Sequence, residues 1–425
     1  IGQKEYYAKN KEKLKIGQKE YYAKNKEKVL AYSKEYRLKQ LKIDPEYDKK
    51  RNMRNNYYKK NKNRINSPSR LNEREFGYLS FDGFMHRHIP VSDFSDFLEN
   101  IIYKSPKGVY ASCSYYNHPA KNMAEKEWKG SDLAFDIDAD ALNLKCKNQH
   151  DHWICKNCGK VGKGPRPNSC IKCKDNKINV LTWSCSNCLG ATKNEAIKLF
   201  DILVQDFGIS QKNISTFFSG NKGYHLVVEN SVYEKLDRRE RREIVDYVSC
   251  KEISLQYLGF NKKFSYSQLI QHMPSSNQPG WPGRMAHFFT DYEIDSSADS
   301  LNDSEKIAKL YSSKSKFNKI FKQSVVSLRS NIDPSVTPDT SRIFRLPTSL
   351  HNKSGFAKIK CEDILSFEPS TQPVVLGSEP LKINITFCPV FTLKGITYGP
   401  FKKSTETLPT FASVYLLLNK LATIA

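Results

Sequence analysis

Two carboxylates close an apolar run, Ser131-Asp-Leu-Ala-Phe-Asp-Ile-Asp138. In a strand, alternate side chains share a face, so Asp136 and Asp138 would stand side by side about 7 Å apart. A buried strand has no structural use for two like charges on one face, and the pair suits a divalent cation; the plainer alternative is a solvated strand end. Further on, Ser219-Gly220-Asn221-Lys222-Gly223 separates two β-branched and aromatic runs. The glycines let backbone N–H groups approach an anion, and Ser219, Lys222 and His225 add a hydroxyl, a charge and an imidazole, the parts of a triphosphate cradle. A Walker loop would lead into a helix, whereas this turn reads as a hairpin, which can also exist without a ligand. Asp333, in IDPSVT, is the third carboxylate that a pair of cations needs. Arg345, His351 and Lys353, in RIFRLPTSLHNKSG, would neutralise phosphates beside them if the fold joins these segments.

Cysteine spacing points to a different chemistry. Cys155-x-x-Cys158 and Cys170-x-x-Cys173 are separated by a Gly- and Pro-rich stretch, the two-knuckle form of a zinc ribbon. A third pair, Cys185 and Cys188, needs two more ligands, and Cys146 with His150 or His152 stands ready upstream. A surface histidine and a buried apolar cysteine are the ordinary alternatives. Both sites would be closed and structural, with no position left for water.

The elements that must carry these residues fit a chain of 425 residues, long enough for two or three domains. Strands are expected over 109–116, 131–138 and both sides of the 219–223 turn, and helices over Asp93–Ile102, behind a Ser92 cap, and about Asn194–Phe207. The formal charge of +23 favours polyanionic partners. Residues 1–64 hold 21 Lys and Arg against 8 Asp and Glu and open with a direct repeat, IGQKEYYAKNKEK. Without a wide apolar stripe, residues 1–65 read as a basic arm, flexible or partly helical. It either contacts phosphates with Tyr stacking on bases or is a solvated extension. Residues 66–405 then form the core, 146–188 a zinc-binding insertion in it, 262–330 a Ser/Lys/Asn-rich and partly helical insertion, and 406–425 a C-terminal helix. No apolar run reaches the roughly 20 residues of a membrane span and no secretory leader is visible, so a cytoplasmic protein with no membrane partner is expected.

REFG at 74–77, YASCSYYNHPA, EWKGSDLAFDIDAD, WSCSNCLGATKNEA, FFSGNKGYHLVVEN and DPSVTPDTSRIFRLPTSLHNKSG, in that order, resemble the small catalytic subunit of archaeal and eukaryotic DNA primase, the archaeal branch above all. The likeness spans roughly residues 71–405. It implies an α+β primase-polymerase core of mixed sheets and helices with a zinc module. Asp136, Asp138 and Asp333 would hold two Mg²⁺ or Mn²⁺ ions. Ser219, Gly220, Lys222, Gly223, His225, Arg345, His351 and Lys353, joined by Arg87, would bind the nucleotide. Lys222 stands where the family often has Arg, which keeps the charge but loses the fork. The implied activity is synthesis of short RNA primers, and also DNA primers, on single-stranded DNA from NTPs or dNTPs. A primase large subunit is the implied partner, with a replicative polymerase or helicase beyond it. A stand-alone primase-polymerase of a virus, plasmid or repair system, a non-catalytic zinc protein that binds nucleic acid, and a metal-dependent phosphoryl hydrolase are the rivals.

Overall fold

The computed structural model describes residues 47–229, 231–260, 263–292 and 301–425. The N-terminal repeat lies outside the described residues. Two antiparallel sheets dominate. The first comprises β1 (Arg74–Leu79), β2 (Met85–Ile89), β3 (Gly108–Tyr116), β4 (Trp128–Ser131) and β11 (Ile343–Arg345), ordered β11-β3-β1-β2 with β4 on β3. The second comprises β5 (Leu133–Asp138), β9 (Ile214–Phe218), β10 (Gly223–Val228) and β12 (Ile359–Lys360), ordered β12-β9-β10-β5.

Alternation along these strands sorts the second sheet into an apolar and a polar face. Tyr224, Leu226 and Val228 pair with Ile137, Phe135 and Leu133, and all six are buried. They pack on Ala196, Leu199, Ile202 and Leu203 of the helix Ser186–Gln205, together forming one core. On the opposite face Phe217 pairs with His225, and His225 with Asp136. Burying one face thus forces the other to present the polar row. The helix expected over Asp93–Ile102 runs Phe94–Ile102, and the side chain of Asp93 rather than Ser92 caps it.

Three domain boundaries differ from those expected. The helix Tyr47–Asn61 belongs to the body, not to an appended arm: Tyr57 and Tyr58 are buried, and the Arg54 guanidinium donates to the carbonyls of Pro106, Lys107, Leu350 and His351. Aromatic and guanidinium groups do the anchoring that aliphatic residues usually do, so a polar helix is held without an apolar stripe. In the 262–330 segment the helices Tyr266–His272, Gly280–Tyr292, Asp303–Ser312 and Lys314–Leu328 close a separate core around Trp281, Met285, Phe289, Ile307 and Phe317. This core begins upstream of residue 262, at Cys250 and Leu258. The C-terminal segment is not one helix: β16 (Phe401–Pro409) pairs with β13 (Pro380–Cys388), the helix spans only Thr410–Leu418, and β17 (Ala422–Ile424) returns to β13. Lys420, at φ 61°, reverses the chain after the helix.

Candidate active site and metal centres

The two main sheets approach across a cleft. From the first come Tyr110, Phe344 and Arg345; from the polar face of the second come Asp136, Phe217 and His225. The rings of His225 and Phe344 meet at 4.6 Å, and Arg345 Nη1 donates to the Ser219 carbonyl at 2.8 Å. Asp333 is delivered to this place by its backbone, whose N–H donates to the Asp136 carbonyl at 2.8 Å.

The three aspartates share a neighbourhood without converging on a single point. Asp138 Oδ1 accepts from Asp140 N at 3.1 Å, and Asp333 Oδ1 accepts from Ser335 N at 2.8 Å and from Ser335 Oγ at 2.7 Å. Among the described residues, only two cysteine-containing groups gather their ligand atoms within 4.8 Å. The charge pattern nevertheless fits a cation. Burial, then the carboxylates of Asp138 and Asp333, pushes the Asp136 carboxyl up to about 6, the mark of negative charge lacking a counter-ion.

The hairpin turn sits over this row. Gly220, at φ 86°, offers its carbonyl to Ser354 Oγ, and Ser219 N–H donates to the Gly223 carbonyl at 2.8 Å. Gly223 pairs with Asp138 so closely that an added Cβ would lie 1.9 Å from the Ile137 carbonyl oxygen. Gly223→Ala is therefore expected to part β10 from β5, lowering stability by about 3 kcal/mol or more and removing activity, as melting and nucleotide-incorporation measurements would show.

Both histidines expected at the nucleotide lie in the cleft. His225 Nε2 is 3.4 Å from Asp136 Oδ1, but this is no ion pair: burial, then the Lys358 and Arg345 charges, hold its pKa well below the usual value, so the ring is neutral. Its buried Nδ1 lacks a partner, as does Arg345 Nε. His351 is likewise held neutral, by burial first and then by Arg345, Arg54 and Lys353. Its Nδ1 accepts from Lys353 N–H at 3.1 Å, which places the ring proton on Nε2, a donor. The Lys353 side chain is exposed at the rim.

Two expected nucleotide contacts are engaged elsewhere. Arg87 makes a two-pronged ion pair with the fully buried Glu75, at 2.6 and 3.1 Å, and donates to the Ser341 carbonyl. Lys222 Nζ donates to the Thr182 carbonyl at 2.9 Å and pairs with Asp140 at 3.1 Å, which ties the hairpin to the cysteine-rich segment. A buried cation that the sequence reading did not single out lies nearby: Lys358, with its ammonium over the Phe217 and Phe344 rings. No motif marks it, because only the return of the chain after Gly355 brings it under the cleft.

Beside the cleft, β6 (His152–Cys155), β7 (Val161–Lys163) and β8 (Ile178–Leu181) form a small sheet bearing the cysteine groups. Cys155, Cys158, Cys170 and Cys173 make one group, with Sγ–Sγ separations of 3.5 and 3.6 Å, and Cys146, His150, Cys185 and Cys188 the other. These distances are too long for disulfides and suit four ligands around one ion. Of the two candidate histidines, His150 is the one in place. Its Nε2 is 3.2 Å from Cys188 Sγ and its Nδ1 is 2.9 Å from Asp151 Oδ1, the carboxylate orientation typical of a zinc-ligating imidazole. His152 instead packs its ring on Phe387 and bonds the His150 carbonyl. The cysteine-bearing segment ends at Trp183, packed on Phe391 and Tyr415, so it is anchored to the body.

Comparison with known proteins gives the family. The family pattern described as DNA primase small subunit matches residues 182–361. A protein of Nitrosopumilus maritimus named DNA primase small subunit PriS is 37% identical over 370 residues, covering 87% of this chain and 96% of that one. Proteins of the same name from Cenarchaeum symbiosum and Methanococcoides burtonii are 32% and 28% identical, covering 87% and 85% of this chain and 96% and 94% of theirs. The chain belongs to the DNA primase small subunit family.

Proposed function

We propose that this protein is the catalytic subunit of a DNA primase and synthesises short RNA primers, and also DNA primers, on single-stranded DNA by two-metal nucleotidyl transfer. The observation that supports the reading most is the 2.8 Å bond from the Asp333 backbone N–H to the Asp136 carbonyl, which brings the segment of the third carboxylate beside the strand that bears the other two. Asp136, Asp138 and Asp333 would hold two Mg²⁺ or Mn²⁺ ions. When bound, these supply Lewis acidity that lowers the pKa of the attacking 3′-hydroxyl and offsets charge growing on the α-phosphate.

The protein's own groups do the positioning. The Ser219 hydroxyl, the backbone at Gly220 and Gly223, neutral His225, Arg345, the Nε2–H of His351 and the rim ammonium of Lys353 hold the phosphates in line and receive the charge of the departing pyrophosphate. Arg87 and Lys222 fix the walls through Glu75, Asp140 and Thr182. Four-cysteine and three-cysteine-one-histidine zinc sites would stiffen the adjoining segment. The family reading adds a primase large subunit as partner in initiation, and a replicative polymerase or helicase downstream. Among the described residues, no helix is long and apolar enough to cross a membrane.

The test is incubation of the protein with single-stranded DNA, labelled NTPs or dNTPs and Mg²⁺ or Mn²⁺, beside the Asp138→Ala/Asp333→Ala variant, with and without a supplied primer. Short oligomers made by the unaltered protein alone are the expected result. Extension restricted to a supplied primer would assign initiation to the partner subunit. No incorporation by a folded, zinc-loaded protein under any of these conditions would overturn the reading.

A further inference from the structure

Lys358 is 3% exposed, lies between the Gly355 turn and β12, and is fixed by its backbone, whose N–H donates to the Ser349 carbonyl at 3.0 Å while its own carbonyl accepts from Thr348 N–H at 2.6 Å. Its Nζ stands 4.5 Å from the centre of the Phe217 ring and 5.4 Å from that of Phe344. Both rings bound the cleft: Phe217 is in register with His225 and hence with Asp136, and Phe344 packs on His225. Among the described residues, the ammonium has these two ring faces and neither a hydrogen bond nor an ion pair.

Such a placement is costly. Ring quadrupoles return only part of the hydration that a buried ammonium gives up, and a lysine left without an anion in a packed interior destabilises the fold. The surroundings do not supply that anion: Cys113 is a buried thiol pushed up to about 12, Arg345 repels, and Asp136 exerts a field without contact. Burial chiefly, with Arg345 adding to it, brings the Lys358 ammonium down to about 7. Arg345 Nε and His225 Nδ1, at the same cleft, are also buried without partners.

We infer that Lys358 contacts the phosphates of the incoming nucleoside triphosphate directly, from beside the hairpin, where β12 pairs with β9, and that this ligand is the counter-charge the fold leaves out. The inference rests on the primase reading above for the identity of the anion. With the nucleotide in place, Lys358 and Arg345 grip it from the two sheets at once, so binding also clamps the sheets together.

The experiment compares unaltered protein with Lys358→Met, which keeps the length and apolar stem, and with Lys358→Arg, which keeps the charge. ATP affinity is measured by displacement of a fluorescent analogue with Mg²⁺ present, KM and kcat on a primed template, and melting without nucleotide. Lys358→Met is expected to weaken ATP binding and raise KM by about 10- to 100-fold, the effect of one charge-assisted contact, to leave single-stranded DNA affinity unchanged, and to melt no lower than the unaltered protein. Lys358→Arg should recover part of the affinity. An unchanged ATP affinity in Lys358→Met, or a melting temperature that falls, overturns the inference and makes Lys358 a packing residue. Should the unaltered protein itself fail to incorporate nucleotides, the primase reading falls first, and that result is distinct because it precedes any comparison of variants.

Discussion

Asp136→Asn is expected to cut nucleotide incorporation by at least about 10³-fold and, in buffer free of divalent ions at pH 7.5, to raise the melting temperature by roughly 2–4 °C. The two effects share one cause. The carboxyl sits at about 6, pushed up by burial and then by Asp138 and Asp333. A carboxyl whose folded pKa lies above its unfolded value of about 3.9 is easier to ionise in the unfolded chain, so its charged form opposes folding. That opposition is complete above about pH 6 and fades as pH falls through 6 towards 4. Asparagine keeps the shape and removes the charge, so the variant's advantage should be largest at pH 7.5 and should shrink by pH 5. Adding Mn²⁺ should reverse the order, because the ion binds and stabilises only the protein that retains all three carboxylates. Differential scanning at two pH values, with and without Mn²⁺, reads all of this. A variant that melts lower in metal-free buffer at pH 7.5 would mean that Asp136 is a structural partner of His225 and not a ligand held in readiness.

How far this was visible beforehand depended on whether the constraint was local. The Asp136 strand, the hairpin at Ser219–Gly223 and the Cys-x-x-Cys knuckles each encode their geometry within a few residues, and each forms as the spacing implies. The family itself was legible because these local signatures occur in a fixed order. Groups whose roles are set by distant segments were not. Arg87, expected among the nucleotide contacts, pairs with Glu75, buried in the neighbouring strand, a partner that no motif announces. Lys222 lies in the right turn, but its side chain leaves for Thr182, across the edge of the sheet. The choice between His150 and His152 turned on which way each ring faces: strand β6 directs His152 to Phe387 and the preceding short helix leaves His150 on the cysteines. The helix Tyr47–Asn61 was hidden in a Lys-rich segment because its anchors are Tyr58 and Arg54, residues that composition counts as surface.

The two cysteine groups, if each holds zinc as proposed, should respond unequally to loss of the ion, although the ligand sets stand side by side. Cys188 lies in the first turn of the helix Ser186–Gln205, whose Ala196, Leu199, Ile202 and Leu203 pack under the strands carrying Asp136 and His225. Its companion His150 is oriented by Asp151, and Asp151 also accepts from Trp183 N–H at 3.0 Å, so this group joins the start of the helix to the segment leaving the Asp136 strand. The other group holds a satellite instead: Cys155 and Cys170 share a small separate core with Trp153 and Ile178. Zinc bound by such ligands contributes on the order of 10 kcal/mol to whatever it organises. Cys188→Ser is therefore expected to lower the main melting transition by about 10 °C or to leave the chain insoluble, and to remove priming by at least about 10²-fold. Cys170→Ser should unfold only the β6–β8 sheet, exposing it to proteolysis, while the main transition stays within about 2 °C and incorporation on a primed template within about 5-fold. Metal analysis should find two zinc ions in the unaltered chain and one in each variant. Priming lost from Cys170→Ser with an unmoved main transition would instead give the outer sheet a part in the reaction. The expected asymmetry follows from the helix: one cysteine group is fastened through Cys188 to the helix that packs under the Asp136 strand, whereas the other sits in a small core of its own.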